Sequence, residues 1–206
     1  MKKIALFTLL LCFGSIYSQK KKKTEAVVPN VVIAKNGNAS AEMAKNNFYL
    51  FITNGAKKDT LLLKKYVSKV TPLECKITSF TTKGTPLQLV SWVEKSVSET
   101  KLKKEETTIT ESQIWNPATK TLVVGNTQTA TKIKETVFLD KLKNASETQE
   151  RTRNGGYVFT FLPEGDFFLK DKSSETRYSY NATSLKYEVV KPNASAPVKP
   201  TKKKRK

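Results

Sequence analysis

Residues 48–55 read FYLFITNG, and this stretch decides the fold class. Phe48, Leu50 and Ile52 occupy every second position, which is the spacing of one face of a β-strand. The stretch ends in the dipeptide Asn54-Gly55, which favours a tight hairpin turn. The sequence therefore predicts an antiparallel strand followed by its hairpin partner.

The same pattern continues to residue 190. Residues 87–98 place Leu87 and Leu89 on one face of a strand, and Val90 and Trp92 on the other. Further strand pairs are predicted over residues 157–171, closed by the turn Pro163-Glu164-Gly165-Asp166, and over residues 176–190. We expect about 9–11 strands and little helix, forming an antiparallel sandwich or an open or closed barrel.

Three segments are harder to assign. Residues 59–70 (DTLLLKKYVSKV) fit a helix or a strand, and their neighbours favour a strand. Residues 39–45 (ASAEMAK) fit one or two helical turns. Residues 144–156 (NASETQERTRNGG) contain almost no apolar side chain, which predicts a long exposed loop.

The start of the chain has the features of a secretory signal peptide. Lys2 and Lys3 precede a short apolar run over residues 4–13, and Ser18 stands before a cleavage point at Gln19. The segment resembles a bacterial Sec signal; Leu11 before Cys12 argues against lipid attachment. We expect export to the periplasm, the cell surface or the extracellular space. No later stretch approaches the roughly twenty apolar residues of a membrane helix.

The remaining chain divides into three parts. Residues 19–47 form a basic, partly disordered N-terminal segment, and residues 48–190 form a single β-rich domain. Residues 191–206 are rich in Pro and Lys and form a disordered basic tail.

Positive charge is concentrated at the two ends of the chain. The sequence has 37 Lys and Arg against 18 Asp and Glu, a formal net charge of +19. The predicted electrostatic contact residues are Lys20, Lys21, Lys22, Lys23, Lys202, Lys203, Lys204, Arg205 and Lys206. They would attract anionic envelope polymers or lipid head groups, and nucleic acid only non-specifically. Residues 202–206 (KKKRK) also resemble a nuclear import signal. An exported protein would not be imported into a nucleus, so export argues against this interpretation.

Composition excludes several chemistries. The chain contains no histidine, and Cys75 is the only cysteine after residue 18. Histidine-dependent triads and cysteine metal cages within one chain are therefore excluded. Hydrolysis would have to use carboxylates, a lysine base or an oxygen-ligated calcium ion, and we expect no cofactor or metal. The acidic pairs Glu105-Glu106 and Glu164/Asp166 fit a solvated face and a turn better than a catalytic site.

Tyr178 and Tyr180 are candidates for an exposed aromatic surface. They share one face of a predicted strand and have basic neighbours in sequence, so they could stack on sugars or bases. Core or cross-strand packing is nevertheless the favoured interpretation for both.

These patterns favour an exported, non-enzymatic β-module that associates with anionic surfaces through its basic ends. The first alternative is a lipocalin-like carrier with an apolar pocket for a lipid or small ligand, an analogy of architecture only. The second is a carboxylate-dependent glycan hydrolase, which needs two facing carboxyl groups in a cleft. The sequence leaves the oligomeric state open.

Overall fold

The computed structural model describes residues 30–67 and 70–190. This part of the chain contains thirteen strands and no helix, so the prediction of an all-β antiparallel fold is confirmed, with more strands than the predicted 9–11. The strands form three sheets, and within each sheet every strand pairs with its neighbours in sequence.

The first sheet has four strands and the middle sheet five. The first sheet contains β1 (Val31–Asn36), β2 (Ala39–Ala44), β3 (Asn47–Asn54) and β4 (Lys57–Lys65). The middle sheet contains β5 (Leu73–Thr82), β6 (Thr85–Glu99), β7 (Lys103–Asn116), β8 (Thr121–Phe138) and β9 (Ser146–Gly155). The third sheet contains β10 (Val158–Phe161), β11 (Phe167–Lys170), β12 (Glu175–Asn181) and β13 (Lys186–Val189).

The middle sheet contributes to a hydrophobic core on each of its faces. Val90 and Trp92 pack into the first core, and Leu87 and Leu89 pack into the second. The side chains that the first sheet contributes to the first core are Ala39, Ala41, Phe48, Leu50, Ile52, Leu61 and Leu63. The third sheet contributes Phe167 and Tyr180 to the second core, with Phe159, Phe161, Tyr178 and Tyr187 packed around them. The opposite faces predicted for residues 87–92 are thus the faces of a three-layered β stack.

Residues 39–44 form strand β2, so the prediction of a helical turn is wrong. Ala39 and Ala41 are fully buried at alternate positions, and β2 pairs with β1 and β3 on either side. Small side chains at these two positions suit close packing of the sheet on its neighbour, which outweighs the helix propensity of alanine. The first sheet therefore begins at Val31, before the predicted domain boundary at residue 48.

Residues 146–155 form strand β9, so the prediction of a long loop is wrong for most of that segment. All ten residues are exposed, and β9 pairs with β8 along its whole length without a shift in register. Apolar alternation is missing because neither face of this edge strand is covered by another layer. The preference of residues 59–65 for a strand is confirmed by β4.

Both ends of the chain lie outside the described residues. This applies to the predicted signal peptide over residues 1–18 and to the cations at Lys20–Lys23 and Lys202–Lys206. Within residues 30–67 and 70–190, no helix is long and apolar enough to cross a membrane.

The link between the middle and third sheets passes through a tight contact at Gly156. Its φ is +75°, and a Cβ atom built there would lie 2.1 Å from the carbonyl oxygen of Thr127. At the preceding residue, Gly155, an added Cβ would meet no atom within 4 Å. Only the second glycine of the pair is therefore required by its surroundings.

We predict that Gly156→Ala lowers the free energy of unfolding by about 1–3 kcal/mol, because the backbone of β8 must move to admit the methyl group. Gly155→Ala is the matched control and should change stability by less than about 0.5 kcal/mol. Urea denaturation of the two variants measures both values. Equal stabilities would contradict the close approach at Gly156.

Candidate functional site

Two carboxylates lie buried between the first and middle sheets and share one lysine. Lys64 on β4 places its Nζ 2.9 Å from Oε1 of Glu94 and 2.8 Å from Oε1 of Glu111. The side chains of Glu94 and Glu111 are only 9% and 10% exposed. Glu94 and Glu111 are thus a candidate for the facing pair of carboxyl groups that a hydrolase needs.

A β-bulge in β4 brings Lys64 into this position. The register between β3 and β4 shifts between Phe48 and Tyr49, which leaves Leu63 without a direct partner. Consecutive residues of a strand normally point to opposite faces, and a bulge relaxes this rule. Leu63 can therefore lie in the first core while the next side chain, Lys64, reaches the carboxylates of the middle sheet.

Hydrogen bonds hold both carboxylates in place. Oε1 of Glu94 accepts bonds of 2.8 Å from Nε1 of Trp92 and 2.8 Å from the hydroxyl of Tyr66. Oε2 of Glu111 accepts a bond of 2.7 Å from the hydroxyl of Thr127. Four strands, β4, β6, β7 and β8, thus meet at this group.

The protonation states follow from these contacts. Burial raises the pKa of Glu94, but hydrogen bonds from Trp92, Lys64 and Tyr66 outweigh it, so the net pKa is lowered. Burial lowers the pKa of Lys64, but Glu111 and Glu94 outweigh it and the net pKa is raised. Burial and the neighbouring Glu94 raise the pKa of Tyr66. The carboxylate of Glu94 is held in its charged form, the opposite of what a general acid in glycoside hydrolysis requires.

The other acidic candidates are engaged in ion pairs. Arg177 on β12 contacts Asp166 at 2.7 Å and Glu164 at 3.2 Å, and these contacts fix the β10–β11 turn against β12. Glu105 and Glu106 each lie 2.8 Å from a lysine two residues earlier on β7. These contacts agree with the solvated face and the turn inferred from sequence.

Tyr180 is not a surface residue, and that part of the aromatic prediction is wrong. It is 0% exposed in the second core, where its ring lies 5.3 Å from that of Tyr187. Tyr178 is half-buried and stacks on Phe167 at 5.1 Å. Because aromatic rings bury large apolar areas, the third sheet uses them to cover the middle sheet. The core packing favoured from the sequence is thus observed for Tyr180, and Tyr178 packs against the same core.

A groove lined by basic residues runs along β8 and β9 to the third sheet. It consists of three adjoining depressions of about 490, 320 and 570 Å³. The first two share Ile133, Arg151 and Thr152, and the second and third share Asn154 and Lys172. The groove therefore crosses from the projecting part of the middle sheet to the junction with the third sheet. We call it the β9 groove.

Cations outnumber acids in the β9 groove. Its basic side chains are Lys104, Lys132, Lys134, Lys170 and Lys172, and its acidic residues are Glu106, Glu150 and Asp171. Arg151 and Arg153 border the groove, but they pair with Ile133 and Thr131, so their side chains project from the opposite face of the sheet. Lys104 bonds Glu106 at 2.8 Å and Lys134 bonds Glu150 at 3.1 Å. Within the described part of the chain, Lys132 and Lys172 have no ion pair within 4.0 Å. Their charges remain available to an anionic ligand.

The carboxylate of Asp171 is held by its own turn. Its Oδ1 accepts bonds of 2.7 Å from the backbone N–H groups of both Ser173 and Ser174. These bonds lower the pKa of Asp171 to about 2. The carboxylate oxygen is directed to the β11–β12 turn. Asp171 therefore forms no close ion pair with either of its neighbouring lysines, Lys170 and Lys172.

The β9 groove is not predicted from the sequence, because residues 144–156 contain almost no apolar side chain, which predicts a loop. The available signal was the spacing of charge: Lys132 and Lys134 lie two residues apart on β8, and Arg151 and Arg153 two residues apart on β9. Alternating charged residues on two paired strands predict charged rows along a sheet, and the register places the two lysines on one face and the two arginines on the other. The cationic ends predicted as contact residues lie outside the described residues.

No protein-family model, curated protein or solved structure matches the chain. The described residues contain no group of three or more His, Cys, Asp or Glu side chains that could hold a metal ion. Cys75 is partly buried, and burial raises the pKa of its thiol to about 11, which keeps it protonated at neutral pH. The β9 groove is the candidate binding site, and the buried carboxylate pair is a structural contact between sheets.

We predict that Lys64→Ala lowers the free energy of unfolding by about 3 kcal/mol, because it leaves two buried carboxylates without their cation. Lys65→Ala, at the next and exposed position of β4, is the control and should have little effect. Thermal and urea denaturation at pH 7 measure both. A loss of less than about 1 kcal/mol for Lys64→Ala would contradict the role assigned to Lys64.

The lowered pKa of Glu94 also predicts a pH dependence. A carboxyl group whose pKa is lower in the folded state stabilises the fold above its unfolded pKa, about 4.3, and loses this contribution as the pH falls through its folded pKa. The free energy of unfolding should therefore fall from about pH 5 downward. Glu94→Gln should be less stable at pH 7 and should show a shallower fall. Parallel curves for the two proteins would contradict this assignment.

Proposed function

We propose that the protein is an exported, non-catalytic β-module that associates with anionic polymers or surfaces of the cell envelope. The observation that carries the proposal is the β9 groove, a continuous open surface with an excess of cations. Export rests on residues 1–18, and the basic ends add charge to the same kind of contact.

The groove suits an extended polymer better than a small enclosed ligand. Lys132 and Lys134 stand roughly 6.8 Å apart along β8, because strands rise about 3.4 Å per residue. A linear polyanion lying along the strands could contact several cations in turn and release counterions at each of them. Binding of this kind is strongly dependent on salt and weakly dependent on the sequence of the polymer.

The apolar carrier receives less support from the packing. A lipocalin-like site would need the apolar faces of the sheets to line a cavity. In both cores these faces contact each other instead: Phe48 meets Trp92 at 5.2 Å, and Phe80 meets Phe161 at 4.7 Å. A glycan hydrolase receives no support from Glu94, whose carboxylate is kept charged.

We predict that reversing charge in the β9 groove weakens polyanion binding. The variant Lys132→Glu/Lys172→Glu should elute from heparin at a distinctly lower salt concentration than the wild type, because two cations without an ion pair become anions. Its binding to polyphosphate should likewise be lost at a lower salt concentration. Lys76→Glu/Lys186→Glu is the matched control, with the same change in net charge at exposed positions outside the groove. Elution across a salt series measures the effect.

The same comparison is made with and without residues 191–206. If the control pair weakens binding as much as the groove pair, net charge alone governs association and the groove proposal fails. If removal of the tail abolishes binding by every protein, the tail and not the groove is the contact. Loss caused mainly by the groove variant in both backgrounds supports the proposal.

A further inference from the structure

Strand β9 leaves one edge of the middle sheet open. It stands at the end of the strand order β5-β6-β7-β8-β9, whereas β5, at the other end, is contacted by β1. Asn36 on β1 donates a bond of 2.8 Å to the carbonyl oxygen of Ile77 on β5. One edge of the sheet is thus covered within the chain, and the other is not.

The open edge is long and regular. β9 has ten residues, pairs with β8 without a bulge and contains no proline. Alternate residues of an antiparallel edge strand direct their N–H and C=O groups outward. Within the described part of the chain, those outward groups of β9 have no hydrogen-bond partner. Natural edges of this length are usually interrupted by a bulge, a proline or a covering segment.

We propose that β9 pairs with β9 of a second copy of this chain, antiparallel and around a two-fold axis perpendicular to the sheet. The two middle sheets would then form one continuous sheet of ten strands. Backbone hydrogen bonds across the edge supply the attraction, and the charged side chains of β9 select the register.

Symmetry restricts which residues can face each other. Directly opposite residues in an antiparallel pair point to the same face of the sheet, and the two-fold axis keeps equivalent faces on the same side. Residues that face each other must therefore both be odd or both be even in number. The axis then passes midway between one residue and its own copy in the second chain. Each choice of this central residue gives one register.

The register centred on Gln149 fits the charges. It places Glu147 opposite Arg151 twice, Thr148 opposite Glu150 twice, and Gln149 opposite its own copy. No like charges face each other in this register. Opposite charges facing each other across strands stabilise a sheet, and like charges destabilise it.

The neighbouring registers fit less well. Centring the axis on Glu150 places that carboxylate opposite its own copy, and centring it on Arg151 places two guanidinium groups opposite each other. The register centred on Glu150 also pairs Glu147 with Arg153, and the register centred on Thr148 has neither like nor opposite charges facing each other. The register centred on Gln149 is thus the one within β9 that pairs opposite charges and brings no like charges together. This accounts for an edge strand that is charged and yet has no bulge.

Existing contacts leave Arg151 able to take part. It lies 3.3 Å from Glu135 on β8, and its side chain is 65% exposed. A guanidinium group has five N–H donors, enough to contact Glu135 within the chain and Glu147 of the second copy together. If the proposed function also holds, the two β9 grooves would meet at the joined edge and bind one polymer with added avidity.

Cysteine cross-linking tests the register. The protein used begins at Gln19 and carries Cys75→Ser, so that it has no cysteine of its own. In this background Gln149→Cys should form an intermolecular disulfide under mild oxidation, because opposite Cα atoms lie about 4.5–5.5 Å apart. Glu150→Cys should cross-link much less, because its own copy is displaced by two residues along the strand and lies beyond about 7 Å. Stronger cross-linking at residue 150, or equal cross-linking at both, would overturn the register.

Sedimentation across a concentration series tests the dimer itself. Glu147→Arg should raise the dissociation constant about tenfold, because two favourable pairs become like-charge pairs. Glu147→Arg/Arg151→Glu should restore affinity to nearly that of the wild type. A wild type that stays monomeric, or a double variant no better than the single one, would overturn the proposal. Polyphosphate binding is measured separately, so failure of the groove and failure of the dimer are distinguishable.

Discussion

The contact that the architecture depends on is the ammonium group of Lys64, held between the carboxylates of Glu94 and Glu111. It carries a positive charge from the first sheet to a position between two acids of the middle sheet, and it requires the bulge at Leu63. Removing Lys64 would leave two buried carboxylates without their cation, whereas removing one carboxylate would leave Lys64 paired with the other. Such groups rarely add net stability, but losing one partner is costly. The group therefore fixes how the first sheet lies on the middle sheet more than it strengthens the stack.

The middle sheet is longer than the sheets that cover it, and this difference creates the candidate site. β6 and β8 have 15 and 18 residues, whereas β4 has 9 and β12 has 7. The additional residues project beyond both cores, and Val97, near the end of β6, is 61% exposed. The polar side chains of these additional residues are largely charged, with more cations than acids in the β9 groove.

Sequence periodicity identified strands whose two faces differ or are both buried. Phe48, Leu50 and Ile52 alternate clearly, and residues 87–92 carry one core on odd positions and the other on even positions. Periodicity failed where the physical cause of a strand is not burial of large apolar side chains. β2 is a strand because alanines fit a close contact, and β9 is a strand because β8 offers a pairing edge.

The carboxylate pair and the burial of Tyr180 could not be predicted for a different reason. Glu94 and Glu111 are neighbours through Lys64, which is 30 and 47 residues away in sequence. Only the packing of the first sheet on the middle sheet brings these groups together. Likewise, Tyr178 and Tyr180 share a strand face in the sequence, but whether that face meets solvent depends on where the third sheet lies.

The absence of histidine gives the proposed surface a constant charge near neutral pH. Histidine is the side chain whose unperturbed pKa lies between 5 and 8, and the chain has none. The hydrogen bond from Lys104 lowers the pKa of Glu106, and the turn around Asp171 lowers the pKa of that carboxyl group, so both carboxylates stay charged near neutral pH. Ionic strength and the charge density of the ligand, rather than pH, would therefore control what this surface binds.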